Sequence, residues 1–212
     1  IERLDHGYES EEAYELIDQL TEFISYYAID ESTNLAKKRG SYDNFKGSGW
    51  DKGLLPIDSL DVHGKDRKAR VTVSHKTRQD WETLRKKTKK GMRNATLMAI
   101  APTANIGLVA GTTPGLDPQF AQIFSRATLN GKFLEVNRNM VAKLKELNLW
   151  ERVKDEVLAC QGDIQTIEAI PDHIKHVYKT SFQISPYAFI EVAARAQKWV
   201  DQAISRNMYL ET

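Results

Sequence analysis

One cysteine, Cys160, occurs in 212 residues. A lone thiol excludes an internal disulfide framework and a CxxC metal or redox pair. No basic residue sits close to it in sequence, so an inert thiol is expected rather than a nucleophile. Long hydrophobic runs are missing as well: no apolar stretch approaches the ~20 residues that span a bilayer. The first residues, "IERLDHGYES", lack a basic-then-apolar targeting pattern. A cytoplasmic setting without membrane contact is therefore the expectation. Charge of one sign is scarce too. Lys and Arg number 30 against 29 Asp and Glu, for a net charge of +1, so no global field steers the chain toward a polyanion. There are no internal repeats and no low-complexity tracts. Of the five histidines, only His173 and His176 lie close together. With no third ligand beside them, no metal site is expected.

What is present is enough for one sizeable domain, with 41% hydrophobic residues. The chain opens on Ile1 instead of Met, and we expect it to be a piece of a longer protein. Residues 10–39 read as one long helix. Ser10 caps it, Glu11 and Glu12 fill the first turn, Lys37, Lys38 and Arg39 the last, and Gly40 stops it. Ala13, Leu16, Ile17, Leu20, Phe23, Ile24, Tyr27 and Ala28 form its expected apolar stripe. Residues 40–64 read as a loop anchored by Phe45 and Trp50. The 65–91 segment is basic and carries a short helix capped by Asp80. Over 65–93, twelve Lys or Arg face three acids. With Trp81 as its only aromatic, base stacking has little support, and a solvated face is the stronger reading.

Residues 93–120 read as a strand ("NATLMAIAP"), a turn and a helix; 121–212 read as a helical region with a hairpin. The hairpin signal is "RATLNGKFLEVN", with Asn130-Gly131 at its tip. Short amphipathic helices follow, and then the clearest one, with Ser185 as cap and Pro186 in its first turn. Helices with isolated strands make an α/β or α+β class.

The stretch "RNATLMAIAPTANIGLVAG" (93–111) invites a chemical reading. A hydrophobic run stops at Pro102, and a helix starts behind Thr103. First-turn amides have no partner inside a helix and lie at the positive end of its dipole, where an anionic oxygen is favoured. Thr103 adds a hydroxyl and Asn105 an amide; Ala104 and Gly107 are small enough to let a ligand approach. On residue types alone, an ordinary strand–turn–helix outranks phosphate binding.

The same residues carry a resemblance. "GMRNATLMAIAPTANIG" is similar to the phosphate-loop region of the large, catalytic subunit of class I ribonucleotide reductases. The long helix and "GSYDNFKGSGWDKG" resemble what precedes that region. "GLDPQF" resembles the family's Gly-Ile-Glu-Pro turn, and "QKWVDQAISRNMYL" its late helix and strand. Several motifs in one order cover most of the chain, less well over 61–78 and 145–180.

The resemblance implies α/β architecture, the late portion of a ten-stranded α/β barrel, and reverses the preference at the loop. Pro102, Thr103, Ala104, Asn105, Ile106 and Gly107 become the candidate substrate-phosphate residues. It implies reduction of ribonucleoside diphosphates by a cysteine thiyl radical and a cysteine pair. The implied partners are the substrate, the rest of the large subunit, a small radical-generating metallo-subunit, and thioredoxin or glutaredoxin as dithiol reductant. Two departures stand out. Asn105 and Ile106 replace the family's frequent Ser or Thr, and Cys160 matches none of the catalytic cysteines. The chain itself is thus expected to hold no cofactor, metal ligand or catalytic residue, to lack turnover alone, and to self-associate through uncovered barrel surfaces. A cobalamin-dependent reductase fragment and a basic nucleic-acid-binding module are the alternatives.

Overall fold

The computed structural model describes residues 1–68, 70–128 and 131–210. In chain order the helices are α1 (Glu11–Arg39), α2 (Gly49–Lys52), α3 (Ser59–Arg67), α4 (Trp81–Thr88) and α5 (Ala104–Ala110). After the strands β1 (Ile123–Thr128) and β2 (Gly131–Val136) come α6 (Arg138–Glu146), α7 (Trp150–Ala159), α8 (Asp172–Val177) and α9 (Pro186–Gln197). The chain divides into two compact units. One holds residues 1–14, 103–189 and 206–212; the other holds 15–102 and 190–205.

In the first unit, β1 and β2 form an antiparallel hairpin registered from Ile123↔Val136 to Thr128↔Gly131. Asn130, assigned to its tip from sequence, lies outside the described residues. Asn137 ends the hairpin and begins α6, because its side-chain oxygen accepts the amides of Asn139 and Met140 at 2.9 and 3.4 Å. Met140 and Leu144 on α6, Val153 and Val157 on α7, and Ile174 and Val177 on α8 recur at three- or four-residue steps. They close over Ile123, Ile164, Ile167 and Ile170 as one apolar core.

In the second unit, Ile29, Phe45, Trp50, Leu55, Trp81, Leu84, Met92 and Trp199 make a core rich in aromatics. Phe45 and Trp50 are buried anchors. The 40–64 stretch is not a plain loop, however. It holds α2, a 3₁₀ turn over Pro56–Asp58 and the start of α3. α3 escapes a periodicity search because none of its residues is buried.

Two expectations need correction here. Leu20, Phe23, Ile24 and Tyr27 on α1 are about half exposed, while Asp18, Thr21, Glu22 and Ser25 are buried. The inner face of that helix is polar because cations and indole donors meet it. Lys198 Nζ lies 2.9 Å from Asp18 Oδ2, and Arg78 Nη1 lies 2.8 Å from Glu22 Oε2. The "NATLMAIAP" stretch is not a strand. A strand needs a ladder, and here one parallel bridge, Ile100↔Ile204, forms. The amides of Leu97 and Met98 go instead to the Asp201 carboxylate at 2.9 and 2.7 Å. In the basic stretch three cations are paired with acids elsewhere in the chain, while Lys65, Arg67, Lys68, Arg70, Lys86, Lys89 and Lys90 are exposed, as a solvated face would be. Arg78 meets Glu15 and Glu22, Arg85 meets Asp58, and Lys87 meets Asp30. Those cations are not available as a phosphate-backbone footprint.

Candidate functional site

The division between the units falls at Pro102–Thr103, so the candidate residues Thr103 to Gly107 belong to the first unit. Thr103 takes the N-cap position of α5 with φ −90° and ψ 42°. Its side chain does not cap the helix. The hydroxyl oxygen instead accepts the Gly115 amide at 2.8 Å. That bond ties the start of α5 to the turn that follows the helix. The Asp117 amide closes the same turn on the Pro114 carbonyl at 2.9 Å. At the other end of α5, Gly111 adopts φ 67° and its amide returns to the Gly107 and Leu108 carbonyls. A left-handed C-cap of this kind favours glycine.

Gly107 has a different role from the one its size suggests. It is buried, and a Cβ built on it would stand 2.9 Å from the Thr113 carbonyl oxygen. Its missing side chain admits the chain's own return turn, not a ligand. Its amide is also committed, to the Thr103 carbonyl at 2.7 Å. The donors left at the helix start are the amides of Ala104, Asn105 and Ile106. No carbonyl lies one turn earlier within the helix to accept them, and no side chain caps them. All three residues are exposed, Ile106 to 71%. Asn105 Nδ2 can join these amides as a donor. Thr103 can still donate its hydroxyl proton. The loop carries no acid and no base, so it can offer an anion neutral donors and the helix dipole, without proton transfer.

Behind the return turn lies a polar cluster that sequence reading does not find. The Tyr8 hydroxyl donates to the Leu116 carbonyl at 2.7 Å. Arg206 Nη2 donates to the Tyr8 hydroxyl oxygen. Arg206 Nε stands 3.3 Å from Asp117 Oδ1, and Asn207 Nδ2 donates to Asp117 Oδ2 at 2.8 Å. These residues come from both ends and the middle of the chain, so spacing gives no signal for them. The "GLDP" motif, which contains Asp117, is the one hint.

Cys160 is partly buried at the end of α7. His173 and His176 both lie on α8, and among the described residues no three His, Cys, Asp or Glu side chains converge as a metal site would require. Also among the described residues, no helix is long and apolar enough to cross a membrane.

Three comparisons show what the chain is similar to. The family model described as "Ribonucleotide reductase, barrel domain" matches residues 2–212. The ribonucleoside-diphosphate reductase subunit alpha of Chlamydia trachomatis is 44% identical over 211 residues, which is 98% of this chain and 20% of the relative. The ribonucleoside-diphosphate reductase large subunit of Caenorhabditis elegans is 37% identical over 207 residues, 97% of this chain and 25% of the relative. The chain thus spans between 20% and 25% of the length of these relatives. Among solved structures, the class Id ribonucleotide reductase alpha subunit of Actinobacillus ureae superposes with a TM-score of 0.68. It is 22% identical and covers 98% of this chain and 30% of that one.

Proposed function

The chain belongs to the ribonucleotide reductase barrel-domain family, and its helix-rich fold is part of that α/β barrel; from this membership we propose that it is a late barrel portion of a ribonucleoside-diphosphate reductase catalytic subunit. The observation that carries the reading is the family match over residues 2–212. In the whole enzyme the chemistry is radical reduction of a ribonucleoside diphosphate to the deoxy form. This portion supplies no catalytic cysteine. It contributes a substrate-phosphate loop, Pro102 to Gly107.

Within the loop the roles divide. The amides of Ala104, Asn105 and Ile106 bind diphosphate oxygens at the positive end of α5. The Asn105 side chain adds a donor. Thr103 and Gly107 shape the loop, one through its bond to Gly115 and the other through its contact with Thr113. Pro102 ends the preceding segment without an amide of its own. The partners are the rest of the large subunit, a small radical-generating metallo-subunit and a dithiol protein of the thioredoxin or glutaredoxin kind, in a cytoplasmic setting. In the whole enzyme the small subunit's metal would supply the radical.

A graft tests this. A complete large subunit carrying this chain in place of its own matching segment should reduce a ribonucleoside diphosphate with its small subunit and reductant. The chain alone should make no deoxynucleotide. Turnover by the isolated chain that vanishes in Cys160→Ser would overturn the assignment, as would an assembled graft unable to bind diphosphate.

A further inference from the structure

We propose that Tyr8, Arg206 and Asp117 are positioning residues: a buried polar hub that holds the return turn behind α5, and through it the phosphate loop. The inference rests on the loop reading given above. Its basis is a chain of contacts within one compact unit. Arg206 Nη2 donates to the Tyr8 hydroxyl, which donates to the Leu116 carbonyl. One residue earlier, the Gly115 amide donates to Thr103 Oγ1. The residue that opens the loop is thus tied to a turn whose far end is fixed by Tyr8. Asp117, next to Leu116, is held by Arg206 and Asn207.

The hub is buried. The side chains of Arg206 and Asp117 are 10% and 5% exposed. The guanidinium lies 5.8 Å from the Tyr8 ring centroid and 5.2 Å from that of Phe189, within cation–π range. Burial pushes the Tyr8 hydroxyl up to about 12, so it remains a donor through the neutral range.

The hub is also costly, which argues against stability as its sole purpose. Arg206 Nη1 is buried without a hydrogen-bond partner, and Arg206 Nε and Asp117 Oδ1 meet at 3.3 Å as an ion pair without a hydrogen bond between them. Groups left in that state oppose folding, and an apolar replacement of similar volume is often neutral or stabilising. What an apolar replacement cannot do is grip one backbone carbonyl and set the height of the turn. The hub's contacts end on that turn, and the turn's amide ends on Thr103.

The test uses a complete large subunit carrying this chain in place of its own matching segment, inorganic diphosphate as probe, and two mild variants, Tyr8→Phe and Arg206→Lys. Tyr8→Phe keeps the ring and removes only the hydroxyl's two bonds. We expect its Kd for diphosphate to rise about three- to tenfold, the scale of one hydrogen bond. Exchange of the Gly115 amide should accelerate by a similar factor, with exchange across α6, α7 and α8 unchanged. Arg206→Lys should move the same two readouts in the same direction. A merely structural role would speed exchange throughout the unit and leave the affinity of the folded molecules alone. Unchanged diphosphate affinity and unchanged Gly115 exchange in both variants would overturn the proposal. If diphosphate fails to protect the amides of Ala104, Asn105 and Ile106 from exchange in the unsubstituted graft, the loop reading itself falls and this proposal falls with it.

Discussion

Trp81 and Trp199 stack with ring centroids 5.3 Å apart and planes inclined by 15°, and each gives its indole N–H to a buried carboxylate of α1. Trp81 donates to Glu22 at 2.9 Å and Trp199 to Asp18. Glu22 also accepts the backbone amides of Arg78 and Gln79 and the Arg78 guanidinium. One carboxylate thus organises the 78–81 segment. Glu22→Ala should leave those donors unpaired and cost about 3 kcal/mol, the scale of a broken buried ion pair. Urea unfolding followed by tryptophan fluorescence measures it; a loss below about 1 kcal/mol, the net worth of a single hydrogen bond, would contradict the assignment.

Acid should weaken the same region. The Arg78 hydrogen bond brings Glu15 from its ordinary 4.5 to about 2. For Glu22, burial pushes the carboxyl up, but the bonds from Arg78, Trp81 and Gln79 outweigh it and the net shift is downward. A carboxyl depressed by folding stabilises the fold above its unfolded value, and the benefit disappears as pH falls through the folded one. Stability should therefore decline from about pH 4.5 toward pH 2. Arg78→Met should flatten that decline. Urea midpoints at pH 7 and pH 3 that fall equally in both proteins would contradict it.

Gly107 and Gly111 stand four residues apart and should respond to alanine for different reasons. At Gly107 the added Cβ meets the Thr113 carbonyl at 2.9 Å. Neither backbone can yield without moving the turn, so Gly107→Ala should cost about 1–3 kcal/mol, as overpacking does. At Gly111 nothing lies within 4 Å, but φ is +67°, so Gly111→Ala should cost about 1 kcal/mol of backbone strain alone. Amide exchange at Gly115 separates the two. Only Gly107→Ala should accelerate it.

Leu20, Phe23, Ile24 and Tyr27 leave an apolar stripe on α1, each between 49% and 55% exposed. Phe23 and Tyr27 already pair, with centroids 4.6 Å apart. A contiguous patch of this kind favours association. Sedimentation velocity should show species larger than a monomer, and Phe23→Lys combined with Ile24→Glu should return the chain toward monomer. A wild-type chain that stays monomeric at high concentration would contradict the expectation.

The ends of α1 were legible in the sequence because caps are local: Ser10 and Gly40 act within a few residues of themselves. The hairpin and the proline that opens α9 were legible for the same reason. The buried face of α1 was not. Periodicity ranks Phe23 above Glu22, yet Glu22 is buried by partners that lie 56 to 59 residues away. The strand expected at 94–102 failed similarly, since local composition does not supply a neighbouring strand. At the candidate site, the proline, the threonine and the small residues were readable. That Gly107 faces Thr113 was not, nor that Thr103 serves Gly115. Both are contacts across a turn. The hub of Tyr8, Asp117 and Arg206 joins residues up to 198 positions apart, where one sequence carries no trace of the contact.

The decisive measurement is binding of a ribonucleoside diphosphate, with the unphosphorylated nucleoside as control, to a complete large subunit carrying this loop, comparing wild type with Asn105→Asp. A carboxylate there would sit beside the diphosphate, and like charges brought together cost several kcal/mol. Diphosphate affinity should fall by more than about tenfold while nucleoside affinity stays nearly constant. Thr103→Ala should cost less, about two- to tenfold, because it removes neutral hydroxyl bonds. Equal diphosphate binding by wild type and Asn105→Asp would contradict phosphate recognition by this loop and leave Pro102–Thr103 an ordinary turn into a helix.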